Sequence, residues 1–143
     1  MKNPVYHAPF TETIEIEITQ SHIANKRINF TNKELMSDAM VCAVVPVLAG
    51  ISPQGRAING LGGSGYLTLY DGSKQRHKDV SFYSLQFNTN YARPFLFEPF
   101  QVQFQQSYIT ISDPTSVAVG QCVMIQFHYY PRAMWEKMQK THV

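Results

Sequence analysis

Charge is what this sequence has little of. Asp, Glu, Lys and Arg make up 15% of it, where a soluble domain usually carries about a quarter. Gln and Asn take their place. A surface so thin in charge suits a protein that other protein covers. The net charge of +2 excludes the strong basic excess of a nucleic-acid binder. The densest basic stretch, Lys74, Arg76, His77 and Lys78, closes with Asp79 and reads as a solvated turn. Cysteine is nearly absent too. Cys42 and Cys122 are too few for a disulfide-stapled secreted domain, and each sits in an apolar stretch, so both read as buried thiols. Long apolar runs are also missing. The longest, "MVCAVVPVLAGI", falls short of the roughly 20 residues of a membrane span and contains Pro46. No apolar segment follows Met1, so no signal peptide is expected.

Helical periodicity is lacking before residue 131. "NKELMSDAM" (32–40) has room for one helical turn at most. After Pro131, "RAMWEKMQK" is the one helix expected, and a short one. What is present instead is alternation. In "TETIEIEIT", Ile14, Ile16 and Ile18 alternate with Glu15 and Glu17, which predicts a strand with one buried face. "KRINF" (26–30), the nearly all-apolar "DAMVCAVVPVLAG" (38–50) and "YLTLY" (66–70) follow as strands, with a bulge or an edge expected at Pro46. "DVSFYSLQF" (79–87), with a bulge after Ser84, "QVQFQ" (101–105), "SYITIS" (107–112) and "VAVGQCVMIQFHYY" (117–130) complete the set. "DPTS" (113–116) is a turn. Short strands without intervening helices mean an all-β sandwich or barrel. The expected division is an extended arm over 1–11, the sandwich over 12–130 and a tail over 131–143.

Few of the chemical motifs hold up. Gly60, Gly62 and Gly65 make a G-x-G-x-x-G, but a dinucleotide site needs a helix after the glycines, whose free N–H groups hold the pyrophosphate. Here the glycines run into "YLTLY". Gly60, Gly62, Gly63 and Gly65 therefore read as a flexible loop at the rim of the sandwich, or an arm that orders against a neighbour. His7, His22, His77, His128 and His142 show no metal-ligand spacing, and His128 reads as a satisfied polar position beside Gln126 and Tyr130. Glu15 and Glu17 share a strand face about 7 Å apart, a spacing that resembles a glycosidase pair but suits a solvated face better. No catalytic residue, metal or cofactor is expected. Aromatic residues are many, yet only Arg93 and Arg132 interleave with them, too few for a single-strand stacking platform.

The ends of the chain carry the candidate interface. In "PRAMWEKMQKTHV", Met134 and Met138 share a helical face flanked by Trp135. Either this tail packs on its own sandwich or it docks on a neighbouring subunit or a membrane surface. "NPVYHAPF" brings Tyr6 and Phe10 on an extended segment that lies along the domain or reaches to another copy.

The ordered set "IEIEIT", "DAMVCAVVPV", "GYLTLYDG", "RPFLFEPF" and "CVMIQFHYY" resembles the single jelly-roll capsid proteins of small icosahedral tailless bacteriophages. The resemblance covers about residues 12 to 130. It implies an eight-stranded antiparallel jelly-roll sandwich and a structural role in the virion, at the vertex (penton) or a minor shell position. It implies partners too: a homo-oligomer, a pentamer at a vertex, with other capsid subunits and an internal membrane within reach of the C-terminal tail. Sequence-specific nucleic acid is not among them. The alternative is a jelly-roll carbohydrate- or receptor-binding module.

Overall fold

The alternating isoleucines do form the first strand. The structure is a computed structural model that describes residues 6–30, 38–85 and 94–140. The elements are β1 (Phe10–Glu17), α1 (Gln20–Asn25), β2 (Arg27–Asn29), β3 (Ala39–Pro46), β4 (Gly65–Asp71), β5 (Lys74–Ser81), β6 (Phe100–Gln101), β7 (Tyr108–Ile111), β8 (Cys122–Pro131) and α2 (Arg132–Lys140). The strands make two antiparallel four-stranded sheets, ordered β1-β8-β3-β6 and β2-β7-β4-β5. Strand direction alternates across each sheet. The connections after β1, β3, β5 and β7 therefore leave from one end, called the loop end below. β1 begins and β8 finishes at the other.

The core lies between the sheets. Val123, Ile125 and Phe127 alternate inward from β8, and Ile109 and Ile111 do so from β7. In β3, Val41 and Val44 both face this core although they are an odd number of residues apart. A bulge between Val41 and Ala43 makes the switch and turns Cys42 to a second cluster with Tyr130, Trp135 and Met138. Of the bulge or edge expected near Pro46, the edge is what the strand shows there, and the bulge sits earlier, between Val41 and Ala43. Pro46 is tolerated because its neighbour Val47 donates to Met124 on β8, which turns the proline nitrogen the other way, beyond the end of two-residue β6.

Several boundaries depart from expectation. The basic stretch at 74–78 is not a turn but most of β5, an outer strand whose exposed Lys74, Arg76 and Lys78 discourage pairing with another chain. Its ladder to β4 is bulged where Asp79, at φ 48°, donates its amide to Thr68 Oγ1. The strand ends at Ser81, and Phe82–Leu85 is a 3-10 turn that buries Phe82 and Leu85, where a longer strand was expected. "QVQFQ" is strand only at Gln101. Beyond it the backbone turns, and buried Ser107 closes the turn by donating to the Gln103 carbonyl and accepting from the Tyr70 amide. α1 was not expected. It has no buried face to leave a periodic signal, and its capping box uses histidine: the His22 amide donates to Thr19 Oγ1 while His22 Nδ1 accepts from the Thr19 amide. The helical turn expected within 32–40 falls largely outside the described residues.

Candidate functional site

The loop end is the most built surface of the molecule. Two connections, residues 47–64 and 112–121, are stitched together there by Asn59. Its Nδ2 donates to the Ser116 carbonyl and to Gln121 Oε1, each at 2.9 Å, and its Oδ1 accepts from the Leu61 amide. Gln121 Oε1 also accepts from the Ala118 amide. One layer deeper, Ser64 Oγ donates to the Leu61 carbonyl at 2.7 Å and lies 3.1 Å from Ser116 Oγ, while the Ser112 amide donates to the Ser64 carbonyl. Isolated bridges from Ile51 to Ala57 and from Ile58 to Cys122 continue the β3 position of the sheet past Pro46.

Gly60 and Gly65 answer to close packing. A Cβ on Gly60 would lie 2.6 Å from the Leu48 carbonyl oxygen, and one on Gly65 would lie 2.7 Å from Leu61 Cβ. Gly62, at φ 51°, and Gly63 sit under the Tyr83 ring, in a short 3-10 turn that feeds β4 directly. No helix follows, so the pyrophosphate geometry is not built.

Arg56 fastens the first connection to β1. Its Nη1 reaches Glu15 Oε2 at 2.7 Å, and its Nε reaches Glu17 Oε1 at 3.5 Å. Glu15 and Glu17 are thus a clamp for a loop, not a bare solvated pair. Burial alone would raise the Glu15 carboxyl. Hydrogen bonds from Arg56 and Ser52, with the Arg56 charge, outweigh it and hold the group below its ordinary value. A carboxyl depressed in this way adds stability above its unfolded pKa, and that stability is lost as pH falls through the folded value. Arg56→Met removes the partner and leaves the burial. Stability then falls at neutral pH and changes little once the carboxyl is protonated, which urea midpoints at the two pH values check.

Apolar side chains crown this end. Leu48, Ile51, Tyr83 and Val119 are exposed, Ile51 to 70%, and they account for all but Phe10 of the large exposed hydrophobics among the described residues. Leu48, Ile51 and Val119 carry no interface signal of their own in the sequence. Leu48 and Ile51 belong to the long apolar run that reads as buried strand, and only the fold leaves them exposed, on connections that leave from the same end as those of Tyr83 and Val119.

The expected interface residues lie at the opposite end, and most are used within the chain. Trp135 is buried, stacked between Tyr6 and Tyr130 at ring separations of 6.1 and 5.8 Å and edge-on to Phe95 at 5.5 Å. Met138 is buried in the same cluster and its Sδ accepts from the His7 amide at 3.3 Å, while Met134 packs at its margin. The buried Tyr130 hydroxyl donates to the His7 carbonyl. Arm and tail therefore lock each other against β8: of the two alternatives for each, the structure shows packing on the chain's own sandwich, which takes Tyr6, Trp135 and Met138 out of the candidate interface. Phe10, 51% exposed beside Tyr129, is the one of the five that remains open.

Among the described residues the histidines do not gather, and no group of His, Cys, Asp and Glu could hold a metal ion. His128 Nε2 pairs with Gln126 Oε1 at 2.9 Å, as a satisfied polar position. Both cysteines are free and buried, and burial pushes the Cys42 thiol up to about 12, so it is no nucleophile at neutral pH. Among the described residues no helix is long and apolar enough to cross a membrane. Comparison with known protein families, curated proteins and solved structures finds no match for this chain.

Proposed function

We propose that this chain is a jelly-roll coat protein of a virion, a vertex or minor shell component that works by packing its loop end against copies of itself. The strand order supports the jelly-roll reading. The pairings β4 with β5, β3 with β6, β2 with β7 and β1 with β8 are nested, as in one long hairpin. Rolling that hairpin up brings β8 beside β3 and β7 beside β4, which completes the two sheets.

The assembly reading is carried by the apolar crown: Leu48, Ile51 and Val119 are exposed on connections that Asn59 and Arg56 hold in place, and Tyr83 is exposed on the 3-10 turn beside Gly62 and Gly63. An exposed apolar cluster on an otherwise polar surface marks an interaction site. One end of an elongated sandwich, repeated around an axis, is the patch a closed ring requires, and a pentamer at a vertex is such a ring. Connections already fixed in the monomer lose little conformational entropy when they dock.

Sedimentation of the full chain over a wide concentration range tests this. The chain forms rings of fixed stoichiometry, and Ile51→Asp abolishes them while leaving a monomer of unchanged melting temperature. A chain that stays monomeric at high concentration and binds glycans at the loop end overturns the reading in favour of a carbohydrate-binding module.

A further inference from the structure

The four outer strands of the two sheets are not alike. β6 has two residues and β2 three, while β5 is bulged and carries Lys74, Arg76 and Lys78. Short length, bulges and lysines are what keep a sheet edge from taking on another strand. β1 has none of them. It runs for 8 residues in unbroken register with β8 and holds no proline, lysine or arginine.

The hydrogen-bond phase tells which of its backbone groups are free. The Ile18 amide donates to the Gln121 carbonyl at 2.8 Å, and on the far side of β8 the Val47 amide donates to the Met124 carbonyl. Antiparallel ladders alternate, so Ile14 and Ile16 bond to Ile125 and Val123 on β8. The N–H and C=O groups of Thr11, Thr13 and Glu15 then point the other way, at steps of about 7 Å along the strand. Among the described residues no protein group pairs with them. A second extended backbone is what answers groups at that spacing.

The side chains define the partner further. Ile14 and Ile16 are only partly buried, and Phe10 on the same face is 51% exposed. The apolar interior thus reaches the flank of the sandwich uncovered by any described residue beyond β1. The charges of β1 are all acidic: Glu12, Glu15 and Glu17, with Arg56 reaching the last two across the outer face. A second copy of β1 is therefore a poor neighbour, since it doubles the carboxylates on one ribbon. A strand that alternates basic with apolar residues suits both faces.

We propose that the free edge of β1 is a docking site for an extended segment of another protein, one that alternates basic with apolar residues and joins the sheet beside β1. Its backbone pairs with Thr11, Thr13 and Glu15. Its apolar side chains cover Phe10, Ile14 and Ile16, and its basic ones meet the carboxylates. The site lies on the flank and does not depend on the assembly proposed for the loop end.

A blocked peptide of alternating valine and lysine, long enough to span β1, tests this by NMR when titrated into the full chain. The amides of Thr11, Thr13 and Glu15 shift saturably and gain hydrogen-exchange protection. Those of Glu12, Ile14 and Ile16, on the β8 side, gain little. The same peptide with glutamate for lysine binds about tenfold more weakly, the sum of a few cross-strand charge pairs. Thr13→Pro removes an outward N–H without touching the ladder to β8, and it loses the peptide. If that variant does not fold, the odd-even pattern of the unaltered chain decides. Ile51→Asp, which disrupts the loop end, keeps the peptide. Shifts without the odd-even pattern, or no shifts, overturn the site. Equal binding of the glutamate peptide overturns the basic partner, and so does protection of these amides by the protein alone at high concentration, which assigns the edge to a second copy.

Discussion

Gly60→Ala lowers the stability of the chain by about 3 kcal/mol, as read from the urea midpoint. The new methyl carbon would stand 2.6 Å from the Leu48 carbonyl oxygen and 2.8 Å from Leu48 Cα, both backbone atoms that cannot swing aside. Either the connection at 47–50 shifts, or Gly60 retreats and pulls Asn59 from the Ser116 carbonyl. The sign of the effect decides what the glycines are for. In a slack loop, replacing glycine by alanine is neutral or stabilising by about 0.4–1 kcal/mol, because it restricts the unfolded chain. Gly55→Ala is the control. Nothing lies within 4 Å of a Cβ there, but φ is 83°, so its cost is the left-handed backbone alone, about 1 kcal/mol. A larger loss at Gly55 than at Gly60 would mean that close packing does not govern this loop.

Trp135→Ala costs about 3 kcal/mol, the usual scale for emptying a large aromatic site. It removes the ring that Tyr6, Phe95 and Tyr130 share. The second effect is release of the ends: amides of 132–140 lose hydrogen-exchange protection, and the arm loses the contact between the His7 amide and Met138 Sδ. Met134→Ala, at the margin of the cluster, costs under about 1 kcal/mol. The cluster explains the ranking. Trp135 lies between the aromatic rings of the arm and those of β8, whereas Met134 touches the group from one side. A Trp135→Ala chain that keeps its monomer stability and loses only assembly would place the tail on a neighbouring subunit instead.

These two variants probe opposite ends of the sandwich. The termini are closed off by aromatic packing, while the connections at the loop end present apolar side chains to solvent on a fixed frame. Under the proposed assembly, Ile51→Asp loses rings and keeps stability, whereas Trp135→Ala loses stability.

Much of this was readable in the order of residues. Where one face of a strand is buried and the other wet, the side chains must alternate. Ile14, Ile16 and Ile18 announce β1, and Val123, Ile125 and Phe127 announce β8. Pro131 followed by Arg132–Lys140 announced the last helix. The burial of both thiols followed from the apolar company they keep. Strands near the rim left no such trace. β5 is nearly all polar because an outer strand buries little, and α1 rests on a capping box rather than an apolar stripe.

What the sequence determined by itself was the class: short strands, polar turns and no helical body, because period two is a local property of a half-buried strand. What only the tertiary structure decided was where single residues meet. The glycines became close contacts, Glu15 and Glu17 gained Arg56, Trp135 turned inward, and Leu48, Ile51, Tyr83 and Val119 came to one end. Each of these depends on chain segments far apart in sequence arriving at one place, and no local pattern of side chains records that meeting.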